Sequence, residues 1–288
     1  MTLSVGRTYA ETLLERFGMN VRLDLYSVAS RLGLSIEERD AEGFEGALVR
    51  PIGGRIGIIV LSRSIREIGR RNFTIAHEIG HYVLPGHDTE ESVCLARDVE
   101  SWGSRVDRRE LDANEFAAEI LIPTSLLRAR ASSTQPGIAI LSDLAEEFSA
   151  SLTATARRFV EVTTHRCAIV WSTKNKIVWY AKSETFGHHV KVGEVVDRNS
   201  LAYRCFSGAE RQAGPLLIPA DSWLPEHNLL ADARIFEESL FLPFYESVLS
   251  LLWTTGRIEK RTEWDEEESE EALDPNEFTL ARKRWPGK

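Results

Sequence analysis

The chain has 288 residues, with 35 Lys and Arg against 44 Asp and Glu and three Cys. That length can bury a sizeable core and is about twice the modal domain size, which fits one large domain or two unequal ones. A net charge of −9 argues against a protein whose main task is neutralising nucleic-acid phosphate, and against anionic membranes or acidic substrates; Cys94, Cys167 and Cys205, odd in number and without a C-x-x-C pair, give neither a disulfide framework nor a thiolate metal site and fit a reducing cytoplasm.

Along the chain, Arg7, Glu11, Glu15 and Arg16 interrupt the N-terminal stretch where a signal peptide needs an apolar core. No apolar run approaches the roughly 20 residues that span a bilayer. The first 40 residues read as two helices and a strand: Ala10, Leu13, Leu14 and Phe17 recur at helical spacing, and Leu25, Val28, Ala29 and Leu32 do so again before Gly33. FEGALVRP and RIGIIVLS, from residue 44 to 62, form a hairpin pattern around Gly53-Gly54. A helix is expected over 64–83, stopped by Pro85-Gly86, then an acidic loop to residue 107. A second helix is expected over 108–121, closed by Pro123. Residues 131–137 read as a linker, and 141–161 as two short helices joined at Ser149-Ala150-Ser151. Strand formers dominate from 166 to about 255, with a hairpin turning at Lys174-Asn175, and Trp171, Trp179, Trp223 and Trp253 are assigned to a core. His188-His189 is read as an exposed loop pair. The end of the chain carries six acids in the seven residues 265–271, followed by a basic stretch, which is the pattern of a solvated tail.

The segment RNFTIAHEIGHYVL carries the chemistry. Residues four apart lie on one face of a helix, so His77 and His81 can aim both imidazoles at one metal ion. Glu78 follows the first of them, where its carboxylate can reach a water held at the metal and take its proton. Two nitrogens and one carboxylate around an open tetrahedral position suit zinc, with manganese as the alternative ion. Burying two His and a Glu without partners would carry a desolvation penalty, which opposes an incidental origin for the motif.

Two residues compete for the third ligand position. His87 lies six residues after His81, the spacing of the extended H-E-x-x-H-x-x-G-x-x-H motif, but Leu84 stands where that motif has glycine and no Met lies downstream, so His87 is placed in a loop near the site or at its rim. Glu110 is the better candidate. It opens the second helix, where its anion also suits the helix dipole, and a carboxylate on a helix facing the first gives a two-His-one-Glu site. Asn114, one turn on, can accept the remaining ring N–H of a ligating His. Asp112 is the reserve, rotated about 200° from Glu110 and expected to face solvent. Tyr82 and Cys94 are weighed as an oxyanion donor and an inhibitory thiolate, and both are read as packing residues.

FTIAHEIGHYVL, followed by ELDANEFAAEILIP, resembles the ImmA/IrrE metallopeptidases, whose signature pairs H-E-x-x-H with an E-x-x-A-N-x-F-A-A-x-L-L-x-P helix. The likeness covers residues 10–130. It implies a gluzincin-like zinc site with His77, His81 and Glu110 as ligands and Glu78 as catalytic base. It also implies limited endoproteolysis of a helix-turn-helix transcriptional repressor in a stress or DNA-damage response. The expected fold is α+β: a small mixed or antiparallel sheet packed on the H-E-x-x-H helix and on the third-ligand helix, then a helical segment and a β-rich C-terminal domain. The expected division is a zinc metallopeptidase domain over 1–130, a helix-turn-helix-like segment over 131–165, a sensor or substrate-docking domain over 166–260 and a charged tail over 261–288. The partner is a protein substrate, with no direct nucleic acid and no membrane, and the location is cytoplasmic. Two rival functions stand beside this: a non-proteolytic zinc-binding regulator that sequesters a repressor, and a DNA-binding regulator with a vestigial metal site. For the latter the helix pair at 141–165 offers only Arg157 and Arg158 against Asp143, Glu146, Glu147 and Glu161, which is no basic recognition face.

Overall fold

The computed structural model describes residues 4–18, 23–40, 44–50, 56–87, 91–94, 107–224, 229, 232–256 and 258; the turn at Gly53-Gly54, most of the acidic spacer and the tail at 261–288 lie outside the described residues. The chain divides into two compact units, one formed by Met1–Ile169 with Ala181–Thr185 and the other by Val170–Tyr180 with Phe186–Lys288. The fold class is α+β. Among the described residues no helix is long and apolar enough to cross a membrane.

In the first unit, helix α1 (Val5–Phe17) is capped by the Ser4 hydroxyl, which accepts from the Arg7 amide, and α2 (Leu25–Arg31) by Asp24, which accepts from the Tyr26 and Ser27 amides. The strands β1 (Leu34–Arg39), β2 (Gly46–Val49), β3 (Gly57–Ser62) and β4 (Glu91–Cys94) form one mixed sheet in the order β1-β3-β2-β4. β1 runs parallel to β3, and β2 pairs antiparallel with both β3 and β4. The expected hairpin is therefore β2–β3. The spacer expected to be loop contains β4, whose acidic and small residues give no alternating apolar signal. Leu48, Ile59 and Leu61 turn a fully buried face to helix α3 (Ile68–Val83), each such side chain contributing about 1.5–3 kcal/mol by burial.

Helix α3 is enclosed through its middle and toward its C-terminal end: every residue from Phe73 to His81 is buried. It packs against β2 and β3, and also against α4 (Arg108–Leu121), which in turn packs on α1. The interior of α4 is Ala113, Phe116, Ala117 and Ile120. Three more helices follow, α5 (Thr124–Ser133), α6 (Ile138–Glu147) and α7 (Leu152–Val162), with α7 packed on both α5 and α6. Pro123 does not end the helical region, because it occupies the N-cap of α5, where a missing N–H costs nothing. The expected linker at 131–137 accordingly shortens to residues 134–137. The helix pair α6–α7 is part of this unit. Asn72 of α3 donates to the Ser149 carbonyl at 2.8 Å, between the two helices.

The second unit is built on a five-stranded sheet in the order β6-β5-β9-β8-β7, from β5 (Arg166–Thr173), β6 (Lys176–Lys182), β7 (Gln212–Pro219), β8 (Arg234–Leu242) and β9 (Ser247–Thr254). The β5–β6 turn falls at Lys174-Asn175, both with positive φ, as a tight hairpin requires. The short helix α8 (Leu201–Phe206) packs on β7, β8 and β9. Trp223 is fully buried and Trp253 stacks on Phe236, whereas Trp171 and Trp179 form a half-buried stacked pair. Glu237 is buried and accepts from the Trp223 indole, the Ser239 hydroxyl and the Ala202 amide, and burial pushes its carboxyl above the usual range. His188 is not an exposed loop residue: it is buried with its ring against Phe186, and only His189 of that pair reaches solvent.

Candidate metal centre

The helical repeat places His77 and His81 one turn apart on α3, and the packing of α4 across that face brings Glu110 to them. Two small residues make the approach close enough. A Cβ on Gly80 would lie 3.0 Å from a Phe116 ring carbon and 3.4 Å from the Ala113 Cα, so glycine lets α3 and α4 meet nearly backbone to backbone. A Cβ on Gly46 of β2 would lie 3.0 Å from Oε1 of Glu78 and overlap the Thr74 methyl, so glycine also lets the sheet press onto the face bearing Glu78.

His77 Nε2 lies 3.0 Å from His81 Nε2, 3.2 Å from one Glu110 oxygen, and His81 Nε2 lies 3.4 Å from the other. His77 and Glu78 are fully buried, His81 nearly so, and the Glu110 side chain is a quarter exposed, giving the cluster one open side. These three residues are a group whose donor atoms can hold one metal ion. A tetrahedral ion with bonds of about 2.0–2.1 Å keeps its donors about 3.3 Å apart, so the observed triangle is of the right size. The hydrogen bonds on the outer nitrogens agree. Asn114 Oδ1 stands 2.9 Å from His77 Nδ1, and since a carbonyl oxygen can only accept, the proton of His77 is on Nδ1 and its Nε2 presents a lone pair inward. An inward lone pair beside a second imidazole nitrogen and a carboxylate is an arrangement that a cation satisfies.

Burial alone would raise the Glu110 carboxyl, but hydrogen bonds and charge from His77 and His81 in their protonated forms, the positive partners whose place a bound cation takes, hold it well below the usual carboxylate range. Glu110 also sits in the first turn of α4, after the Asp107 cap, where the helix dipole favours an anion. Asp107 is itself lowered by hydrogen bonds from Arg109.

The structure thus brings together His77, His81 and Glu110, with Asn114 behind His77, while Glu78 is buried on the same helix α3 next to Gly46 of β2. Asp112 does not join them and does not face solvent. It is mostly buried, with the Arg108 guanidinium 3.5 Å away, Gly6 of α1 packed against its backbone carbonyl, and its charge acting on His87. His87 is not a rim residue either: it is 3% exposed and lies behind His81, Nδ1 to Nδ1 at 3.0 Å. Burial, then the adjacent His81, pushes its imidazole below the ordinary histidine value. The Tyr82 hydroxyl is directed to the Leu32 carbonyl at 3.3 Å, away from any oxyanion role. Cys94 stands opposite Gly46 in the β2–β4 register. Arg50, which sequence reasoning passed over, donates to the His87 carbonyl; a lone Arg at the end of a strand carries no signal of that contact.

The arginines of the helix pair are engaged in packing. Arg158 is 2% exposed, with its guanidinium 2.6 Å from Glu119 and 2.7 Å from Glu161, and the half-buried Arg157 has its pKa lowered by burial.

Comparison with known proteins adds the family. A family model described as Peptidase_M78, the IrrE N-terminal-like domain, matches residues 29–160. No match was found among curated proteins. The fold is similar to that of a Mycobacterium tuberculosis transcriptional regulator, at 13% identity and a TM-score of 0.50, over 86% of this chain and 74% of that one. The matched segment contains both helices of the His77, His81 and Glu110 cluster, and residues 29–160 are thus similar to the Peptidase_M78, IrrE N-terminal-like domain, which points to a peptidase.

Proposed function

We propose that the chain is a zinc-dependent endopeptidase of the cytoplasm that makes a limited cut in a protein substrate, a helix-turn-helix transcriptional repressor, in a stress or DNA-damage response. The observation that carries the reading is the convergence of His77, His81 and Glu110 beside a buried Glu78 within a peptidase-family domain. In this reading the catalytic segment is residues 1–130 and the second unit docks the substrate or senses the signal. The repressor as substrate follows from the ImmA/IrrE resemblance. The fold neighbour, a transcriptional regulator, is compatible with a role in that setting.

His77 Nε2, His81 Nε2 and Glu110 would hold the ion, and two nitrogens with one carboxylate favour zinc over manganese. The bound ion would acidify water and polarise the scissile carbonyl. Glu78, one residue beyond the first ligand and shielded by β2, takes the proton of the attacking water and passes it to the leaving amide nitrogen. Asn114 keeps the His77 proton on Nδ1 and so keeps Nε2 available.

The test is Glu78→Gln. The variant should bind zinc with unchanged stoichiometry and lose about 10²–10⁴-fold in cleavage of repressors encoded nearby, with products mapped by mass. Retained cleavage overturns the role of Glu78. Tight repressor binding by the zinc-loaded wild type with no cut product favours the sequestering regulator instead.

A further inference from the structure

A ligating imidazole needs its lone pair aimed at the metal and its proton on the opposite nitrogen, and the two histidines of this site obtain that from different sources. For His77 the partner is Asn114, which shares α4 with Glu110. For His81 the atom facing Nδ1 is another imidazole nitrogen, Nδ1 of His87, at 3.0 Å with the rings tilted by 47°. Of two nitrogens in such contact one carries the hydrogen and the other a lone pair.

The position of His87 is built rather than incidental. Leu84 ends α3 in extended backbone, Pro85 and Gly86 form a turn with Gly86 at φ +78°, and the chain comes back across the end of the helix. Arg50, following β2, fixes the returning strand by donating to the His87 carbonyl. The result is a histidine 3% exposed whose Nδ1 meets the outer nitrogen of His81 and not the inner cluster of Nε2 atoms and Glu110.

We propose that His87 is the positioning residue for His81: its Nδ1 accepts the His81 Nδ1–H, its own proton resides on Nε2, and the His81 lone pair is thereby held toward the metal. The proposal rests on the reading of His77, His81 and Glu110 as metal ligands. It makes His87 the counterpart of Asn114 and excludes it as a ligand.

The experiment compares zinc dissociation constants, by chelator competition on the full chain, for wild type, Glu110→Ala, His87→Leu and His87→Asn. Leu fills the space without an acceptor, whereas Asn places Oδ1 at the distance from the backbone where histidine has Nδ1. His87→Leu should still bind one zinc per chain, about 10–100-fold more weakly, with an unchanged far-ultraviolet spectrum of the metal-free protein, and His87→Asn should recover most of the loss. Wild-type affinity in His87→Leu overturns the proposal while leaving the metal site in place, provided that Glu110→Ala loses binding. Loss of stoichiometric zinc in His87→Leu, as in Glu110→Ala, makes His87 a ligand and also overturns it. Equal weakening in the Leu and Asn variants assigns the effect to packing and overturns it as well. Absence of zinc binding by the wild type overturns the metal-centre reading itself. If His87→Leu does not fold, His87→Met, flexible and without a strong acceptor, makes the same comparison.

Discussion

The ion pair between α4 and α7 yields the most quantitative expectation. Arg158 and Glu119 have side chains 3% and 2% exposed and meet at 2.6 Å. The same Glu119 carboxylate accepts from the Thr124 amide and hydroxyl, each at 2.7 Å, capping the first turn of α5. Glu119→Leu removes one partner of a buried pair and that cap together, leaving Arg158 with Glu161, the Thr124 hydroxyl and the Ile122 carbonyl. Removing one partner of a buried pair costs about 3–5 kcal/mol, a third or more of the stability of a marginal domain. At about 2–4 °C per kcal/mol for a unit of this size, the melting temperature should fall by about 6–20 °C. Seven of the eight α-helices described belong to the first unit, and Trp171, Trp179, Trp223 and Trp253 belong to the second. Circular dichroism at 222 nm during urea unfolding therefore reports the first unit, and tryptophan fluorescence chiefly the second. The loss should appear in the former, and Glu119→Leu/Arg158→Met should restore most of it, because an apolar pair of similar volume replaces a buried ion pair at little cost. A Glu119→Leu unfolding free energy within about 1 kcal/mol of wild type would refute the assignment of a buried, mutually dependent pair. The same contact makes Arg158 a poor probe of DNA binding, since neutralising it disturbs helix packing first.

Two further expectations concern one residue in each of the two sheets. Gly46→Ala pushes a methyl against Thr74 and Glu78, so it should cost about 1–3 kcal/mol and lower peptidase activity more than zinc affinity; unchanged activity would show that β2 does not set the position of Glu78. Burial pushes the Cys167 thiol from 9.0 up to about 12, with Ser183 opposing. The folded state therefore keeps this proton to higher pH than the unfolded chain, and stability falls as pH rises from about 9 toward 12. The difference in urea midpoint between wild type and Cys167→Ala should accordingly shrink from pH 9 to pH 11, and a constant difference contradicts the assignment.

What the sequence made legible follows local periodicity. His77 and His81, and Glu110 with Asn114, are each one helical turn apart, so both clusters could be placed on helix faces before any tertiary contact was known. The β2–β3 hairpin and the Lys174-Asn175 turn were legible for the same reason, through alternation and turn residues. Contacts across distant elements were not. The rotation of Asp112 from Glu110 predicts a solvent-facing side chain, because nothing in its own helix signals that α1 packs against the backbone there. Pro123 read as a stop, yet a proline ends one helix and begins the next with equal ease. β4 escaped notice because its pairing is supplied by β2 and not by its own composition.

His87 shows where these two kinds of information meet. Its spacing from His81 suggested a ligand, and the missing glycine at position 84 argued against one, but the spacing alone could not say what else such a histidine would do. Its task is set by Arg50 and the Pro85-Gly86 turn, which place it behind His81 and not beside it. In the proposed metal centre the two histidines are consequently supported by separate parts of the fold: His77 through α4, which also carries Glu110, and His81 through the end of β2. Glu78 is tied to the same strand by Gly46. A disturbance of α4 should therefore remove a ligand and the support of another together, abolishing metal binding. A disturbance of β2 should reach His81 and Glu78 together, weakening metal binding while lowering cleavage more severely if Glu78 is the base proposed above.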